Sequence, residues 1–99
     1  MGVALEVLSA AGRTDVALRM LARTDYPSYG FMITHPDEPA TTIWELWDSP
    51  TEGPGMNSRD HIMFGAPGNW LHEHIGGITQ TADSIGFRHA VFTPPAQLL

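Results

Sequence analysis

Ala40-Thr41-Thr42-Ile43-Trp44-Glu45-Leu46-Trp47-Asp48, followed after a Pro- and Gly-containing break by Met56-Asn57-Ser58-Arg59-Asp60-His61, is the part of the chain from which the remainder is best read. It gathers an interior carboxylate, two indoles and an imidazole into a short, loop-flanked run. Carbohydrate sites are made of these groups, because aromatic rings stack on the apolar faces of a sugar while a carboxylate accepts from hydroxyls or moves protons. Glu45 lies between Trp44 and Leu46, where a carboxylate is costly unless it is bonded or employed; the plain alternative is a solvated residue on an exposed face. Trp44 and Trp47 are candidates for a sugar-binding wall, with membership of the core as the alternative. Thr41 to Trp47 is β-branched and aromatic, and its periodicity fits a strand or the entry to a helix equally.

Upstream, Met1 to Ala11 is apolar with Val3, Val7 and Leu8 at helical spacing, and Gly12 fits a left-handed residue closing a first helix. Thr14 is the expected N-cap of a second helix, with Asp15 at its positive end, Val16, Met20 and Leu21 as its apolar stripe, and Arg19 and Arg23 facing water. An αα-hairpin follows. From Asp25 to Pro39 the density of Pro, Gly and aromatics predicts a loop with a short extended piece over Tyr29 to Thr34.

Downstream, Pro50 to Gly55 reads as a loop. Ser58 is the expected N-cap of a helix running to about Ile75, with His61, Phe64, Trp70, His74 and Ile78 as inward candidates and Trp70 as core. Pro67-Gly68 interrupts it, so a kink or two helices are expected. Gly86 to Thr93 is the best strand in the chain, ended by Pro94-Pro95.

Several short motifs occur in one order. They are Gly12-Arg13-Thr14-Asp15-Val16-Ala17, Asp25-Tyr26-Pro27-Ser28-Tyr29-Gly30-Phe31-Met32, Ala40-Thr41-Thr42-Ile43-Trp44-Glu45 and Asn57-Ser58-Arg59-Asp60-His61, then Trp70-Leu71, Gly76-Gly77-Ile78 and Gly86-Phe87. From about Ala11 to about Pro94 this series resembles the end of the catalytic domain of bacterial α-L-rhamnosidases of the six-hairpin glycosidase type. The resemblance implies a mainly α fold, an αα-hairpin piece of an (α/α)6 barrel over residues 1–84, with residues 85–99 starting a C-terminal β domain. It implies hydrolysis of terminal α-L-rhamnosides with inversion. Glu45 falls on the family's catalytic glutamate in "Thr-Thr-x-Trp-Glu", the general base that deprotonates the attacking water, while a second carboxylic acid protonates the leaving oxygen. No part of the chain resembles the earlier barrel segment that carries that acid. His61 matches the sugar-contacting histidine of "Ser-x-Asn-His"; Asp60 stands where the family usually has Asn, which keeps the acceptor and loses the amide donor.

Length and composition bound these expectations. A chain of 99 residues makes at most one domain, burying only about 60–70% of its unfolded surface, so a whole barrel does not fit. A formal charge of −6 with five Lys or Arg offers no footprint for nucleic acid. The absence of cysteine excludes disulfides and thiolate metal sites. No apolar run is long enough for a membrane span and no basic n-region marks a signal peptide, so a cytoplasmic location is expected. His72-Glu73-His74 invites a metal reading, but helical residues two apart point about 200° apart, so a solvated helix face is expected, with no metal and no cofactor. The expected partner is a rhamnose-containing carbohydrate, and apolar residues meant for neighbouring hairpins imply a homo-oligomer or an upstream barrel segment. The alternative class is a small non-catalytic protein derived from such a domain that binds a sugar or a partner. The reading frame upstream of Met1 discriminates the two.

Overall fold

The computed structural model describes residues 1–96. Its first half opens with the expected αα-hairpin, α1 (Gly2–Ala10) and α2 (Thr14–Leu21), turned at Gly12 with φ +76°. The cap differs from expectation. Arg13 occupies the N-cap position and Thr14 is the first helical residue, its hydroxyl donating to Ser9 Oγ at 3.3 Å. The buried face also shifts: Leu5 and Ala17 form the core with Trp70, while Val3 and Val7 stand in solvent at 79% and 61% exposure. Met1, Leu8, Leu18, Met20, Leu21 and Ile75 pack around that centre.

Tyr29 to Thr34 is not extended. Ser28 in β conformation accepts from the Phe31 N–H at 2.9 Å and so starts a short helix, α3 (Tyr29–Ile33). Gly30 sits so close to the Arg23 carbonyl and Thr24 that a Cβ would collide with them. Its role is close approach rather than helix breaking. Thr41 to Trp47 becomes neither a regular strand nor a helix. A 3-10 turn, Ser49–Thr51, follows.

The helix expected from Ser58 starts later. Ser58 Oγ accepts from the Asp60 N–H at 3.2 Å, a local turn that competes with capping. A 3-10 turn spans Ile62–Phe64, and the helix proper, α4 (Pro67–Trp70), begins with the proline at its first position, where a missing N–H costs nothing. It continues as a π-helical turn, Leu71–Ile75, closed by the Gly76 N–H on the Leu71 carbonyl at 2.8 Å. Gly2 of α1 leaves no room for a Cβ against Ala66, and Trp70 Nε1 donates to Ser9 Oγ at 2.9 Å, so the hairpin and α4 form one unit. Trp70 is core, 1% exposed.

The C-terminal strand is shorter than expected and has a partner the sequence did not reveal. β1 (Ile78–Gln80) pairs antiparallel with β2 (Ala90–Phe92), Thr79 opposite Val91. This small sheet joins residues on both sides of the 84/85 boundary, and positions 97–99 of the expected β segment lie outside the described residues.

Candidate active site

Two limbs of irregular chain face each other beside α3. The Glu45 N–H donates to the Ser58 carbonyl at 2.9 Å and the His61 N–H to the Ile43 carbonyl at 2.8 Å, while Thr42 Oγ1 donates to the Arg59 carbonyl. The pairing amounts to a short antiparallel ribbon with one backbone bond replaced by a side chain: the Ser58 N–H donates to Glu45 Oε2 at 2.7 Å. A charge-assisted bond of this length holds the carboxylate in place at a net gain of about 1.5–3 kcal/mol. Among the described residues Glu45 Oε1 accepts no hydrogen bond, and the side chain keeps 15% exposure.

His61, on the opposite limb, brings Nδ1 to 3.9 Å from Glu45 Oε2 and is 38% exposed. The sequence separates these residues by a loop, and the ribbon closes it. Trp44 points the other way. It is 2% exposed, with the Arg59 guanidinium 5.3 Å from its ring centroid and His35 edge-on, so its placement is that of a core residue. Burial of an indole removes roughly 150–250 Å² from water, worth about 4–6 kcal/mol before entropy. Trp47 is half-buried and stacked on Phe64 at 4.2 Å and 24°, with Tyr29 edge-on to both rings. The Tyr29 hydroxyl donates to the Phe64 carbonyl at 2.6 Å, and burial pushes its pKa up to about 12. Tyr29 also lines an apolar cavity of about 270 Å³ with Met32, Ile33 and Thr41 to Ile43, next along the ribbon from Glu45.

Sequence reasoning passed over the groups that hold this site. His35 is buried at 3% exposure with Nε2 2.9 Å from Asp48 Oδ1. Ser49, also buried, donates to Asn57 Oδ1, and Asn57 Nδ2 returns a bond to the Ser49 carbonyl at 2.9 Å. The Ser49–Asn57 pair spans the loop between the limbs, and the His35–Asp48 pair ties the end of the Glu45 limb to the segment after α3. A lone histidine in a Pro-rich stretch and a serine before Pro50 carry no pattern that marks such partners.

His72 and His74 are not brought together. His72 is exposed beside Phe87, whereas His74 stacks over Trp70 and meets Glu6 Oε2 at 2.8 Å. Ligand atoms of Glu6, Glu73 and His74 lie within 4.8 Å of one another, and Glu6 and His74 are joined directly by a hydrogen bond. Among the described residues no helix is long and apolar enough to cross a membrane.

Comparison with known proteins sets this geometry in context. Residues 1–75 match the model of the bacterial α-L-rhamnosidase six-hairpin glycosidase domain, so β1 and β2 lie beyond the matched part. An α-L-rhamnosidase of Streptomyces avermitilis is 41% identical over 95 residues, and one of Alteromonas sp. is 37% identical over 94. These alignments take in 91% and 90% of this chain but only 9% and 10% of those proteins, so the chain spans about a tenth of the length of the curated relatives it matches. In three dimensions it is similar to the Streptomyces avermitilis α-L-rhamnosidase crystallised with L-rhamnose, with a TM-score of 0.76 and 38% identity over 92% of this chain and 9% of that one. The α-L-rhamnosidase of Dictyoglumus thermophilum gives 0.73 and 37%, over 92% of this chain and 10% of that one. With a mainly helical hairpin fold, a short following sheet and a family match over residues 1–75, the chain belongs to the bacterial α-L-rhamnosidases of the six-hairpin glycosidase type.

Proposed function

We propose that this segment supplies the water-activating side of an inverting α-L-rhamnoside hydrolysing site, with Glu45 as general base and His61 and Trp47 against the sugar. The observation that carries the reading is the Ser58 N–H on Glu45 Oε2 at 2.7 Å. It immobilises one carboxylate oxygen and leaves the other to receive a proton, which suits a base better than a residue meant only for solvation. Oε1 takes a proton from a water, and the water oxygen bonds to the anomeric carbon. The glycosidic carbon–oxygen bond breaks with its electron pair going to the leaving oxygen, which is protonated by a carboxylic acid from another part of the barrel. In inverting sites the two carboxyl groups stand about 6.5–9.5 Å apart, leaving room for the water. Support for the sugar comes from the relatives, named α-L-rhamnosidases, one of them crystallised with L-rhamnose. With Trp44 in the core, Trp47 is the indole left to border the sugar.

The reading is tested in a full-length relative carrying this segment in place of its own. Proton NMR during hydrolysis of an aryl α-L-rhamnoside should show β-L-rhamnose as the first-formed anomer, and Glu45→Gln should slow its formation by about 10²–10⁴. First-formed α-L-rhamnose would overturn the assignment.

A further inference from the structure

We infer that His35 is the positioning residue for Glu45, holding both limbs of the ribbon through its two ring nitrogens. On one side Nε2 meets Asp48 Oδ1 at 2.9 Å, on the limb that carries Glu45. On the other, Nδ1 accepts the Asp37 and Glu38 N–H groups at 3.2 and 3.3 Å. That turn sets Glu38, whose Oε1 holds Arg59 Nη1 at 3.0 Å on the limb that carries Ser58 and His61. Arg59 in turn lies over Trp44 and accepts Thr42 Oγ1 through its carbonyl. Two amides converging on Nδ1 require a lone pair there, which leaves the ring proton on Nε2 facing the carboxylate. The ring is wedged edge-on between Phe31 at 5.3 Å and Trp44 at 5.7 Å, so it cannot turn to exchange the two nitrogens without displacing the indole beside Glu45. Any buried imidazole needs one donor and one acceptor partner; what is particular to His35 is that the two partners lead to different limbs.

The inference concerns the placement of Glu45; its value for catalysis rests on Glu45 being the base, and the experiment separates the two. Backbone amide exchange is followed by NMR in the 99-residue protein and in His35→Asn and His35→Gln. Asparagine places an acceptor near the Nδ1 position and keeps the 37–38 turn, whereas glutamine places a donor near Nε2 and keeps the Asp48 link. Each variant therefore cuts one tether, and His35→Ala cuts both. Exchange at Ser58 and His61 should accelerate about tenfold in His35→Asn, about threefold in His35→Gln, whose cut tether ends in the exposed Glu38–Arg59 pair, and most in His35→Ala, with Ala17 and Ala22 of the hairpin unchanged. Unchanged exchange at Ser58 and His61 in both conservative variants, or acceleration only in step with Ala17 and Ala22, would overturn the inference. In the full-length relative carrying this segment the same variants should lower kcat with KM held. Selective loosening of Ser58 without loss of kcat would leave the positioning intact and remove Glu45 as the base.

Discussion

Glu45 and Ser58 are joined twice, once through the Glu45 N–H on the Ser58 carbonyl at 2.9 Å and once through the Ser58 N–H on Glu45 Oε2 at 2.7 Å. Backbone and side chain of the same residue are thus fixed by the same partner, so the carboxylate has little freedom left to lose when a substrate arrives.

This double link makes Glu45→Gln a clean variant. An amide oxygen still accepts from the Ser58 N–H, so the ribbon persists while the proton acceptor is gone. In a full-length relative carrying the segment, kcat should fall by about 10²–10⁴ with KM nearly constant, because a base acts only in the transition state. Azide should restore part of the rate and give a glycosyl azide of inverted configuration, read by NMR. A retained azide product would make Glu45 a nucleophile or an acid.

His61→Ala should act on the other kinetic parameter. The His61 backbone N–H, not its ring, bonds to the Ile43 carbonyl, so truncation leaves the limbs paired. A hydroxyl contact present in ground and transition states alike appears in binding, and KM should rise about tenfold with kcat held. Steady-state kinetics on an aryl rhamnoside would show it. A fall in kcat alone would place the imidazole in the chemical step.

Two glycines with positive φ should respond differently to alanine. Gly12 at φ +76° has open space around the added carbon, so Gly12→Ala should cost only the left-handed penalty of about 1–2 kcal/mol. At Gly77, φ +66°, the new Cβ would run into the Thr93 carbonyl and the Pro94 nitrogen at the site where the Thr93 N–H donates to the Gly77 carbonyl at 2.7 Å. Gly77→Ala should therefore separate β1 from β2, with exchange protection lost at Thr79 and Val91 before the hairpin is affected. Denaturation midpoints for the two variants rank them.

Burial of Tyr29 raises its pKa from 10.0 to about 12, which stabilises the folded protein with the phenol protonated. The folded pKa lies above the unfolded one, so the contribution is full below pH 10 and is lost between 10 and about 12. Ultraviolet difference spectra between the protein and Tyr29→Phe should place the Tyr29 tyrosinate signal at the upper end of that window, and unfolding by base should begin within it. A Tyr29 signal complete at pH 10 would contradict the burial.

What the sequence revealed follows from the range of the interactions involved. The αα-hairpin rests on apolar spacing and on Gly12, both local, and it was legible. The face was not, because Val3 and Val7 match the helical period as well as Leu5 does, and only the position of Trp70 decides between them. Ser28 read as a loop residue and Gly30 as part of a short extended piece, although one caps α3 and the other admits the Arg23 carbonyl. β1 escaped notice because Ile78–Gln80 is too short to show alternation. Glu45 and His61 were singled out by residue type and motif, and the structure brings them to 3.9 Å. The groups that hold them there, His35, Asp48, Ser49 and Asn57, act across loops and have no local signature.

The Ser49–Asn57 clamp closes the excursion from Thr51 to Met56, every residue of which is exposed, and so separates its length from the geometry on either side. With its ends pinned by the clamp, added chain in this excursion costs only closure entropy, about 0.6 kcal/mol for each doubling. Pro54 and Gly55, beyond the Gly53 carbonyl that Asn57 Nδ2 also reaches at 3.4 Å, are therefore where this protein can gain a tag, a reporter or a natural insertion while the carboxylate beneath keeps its address.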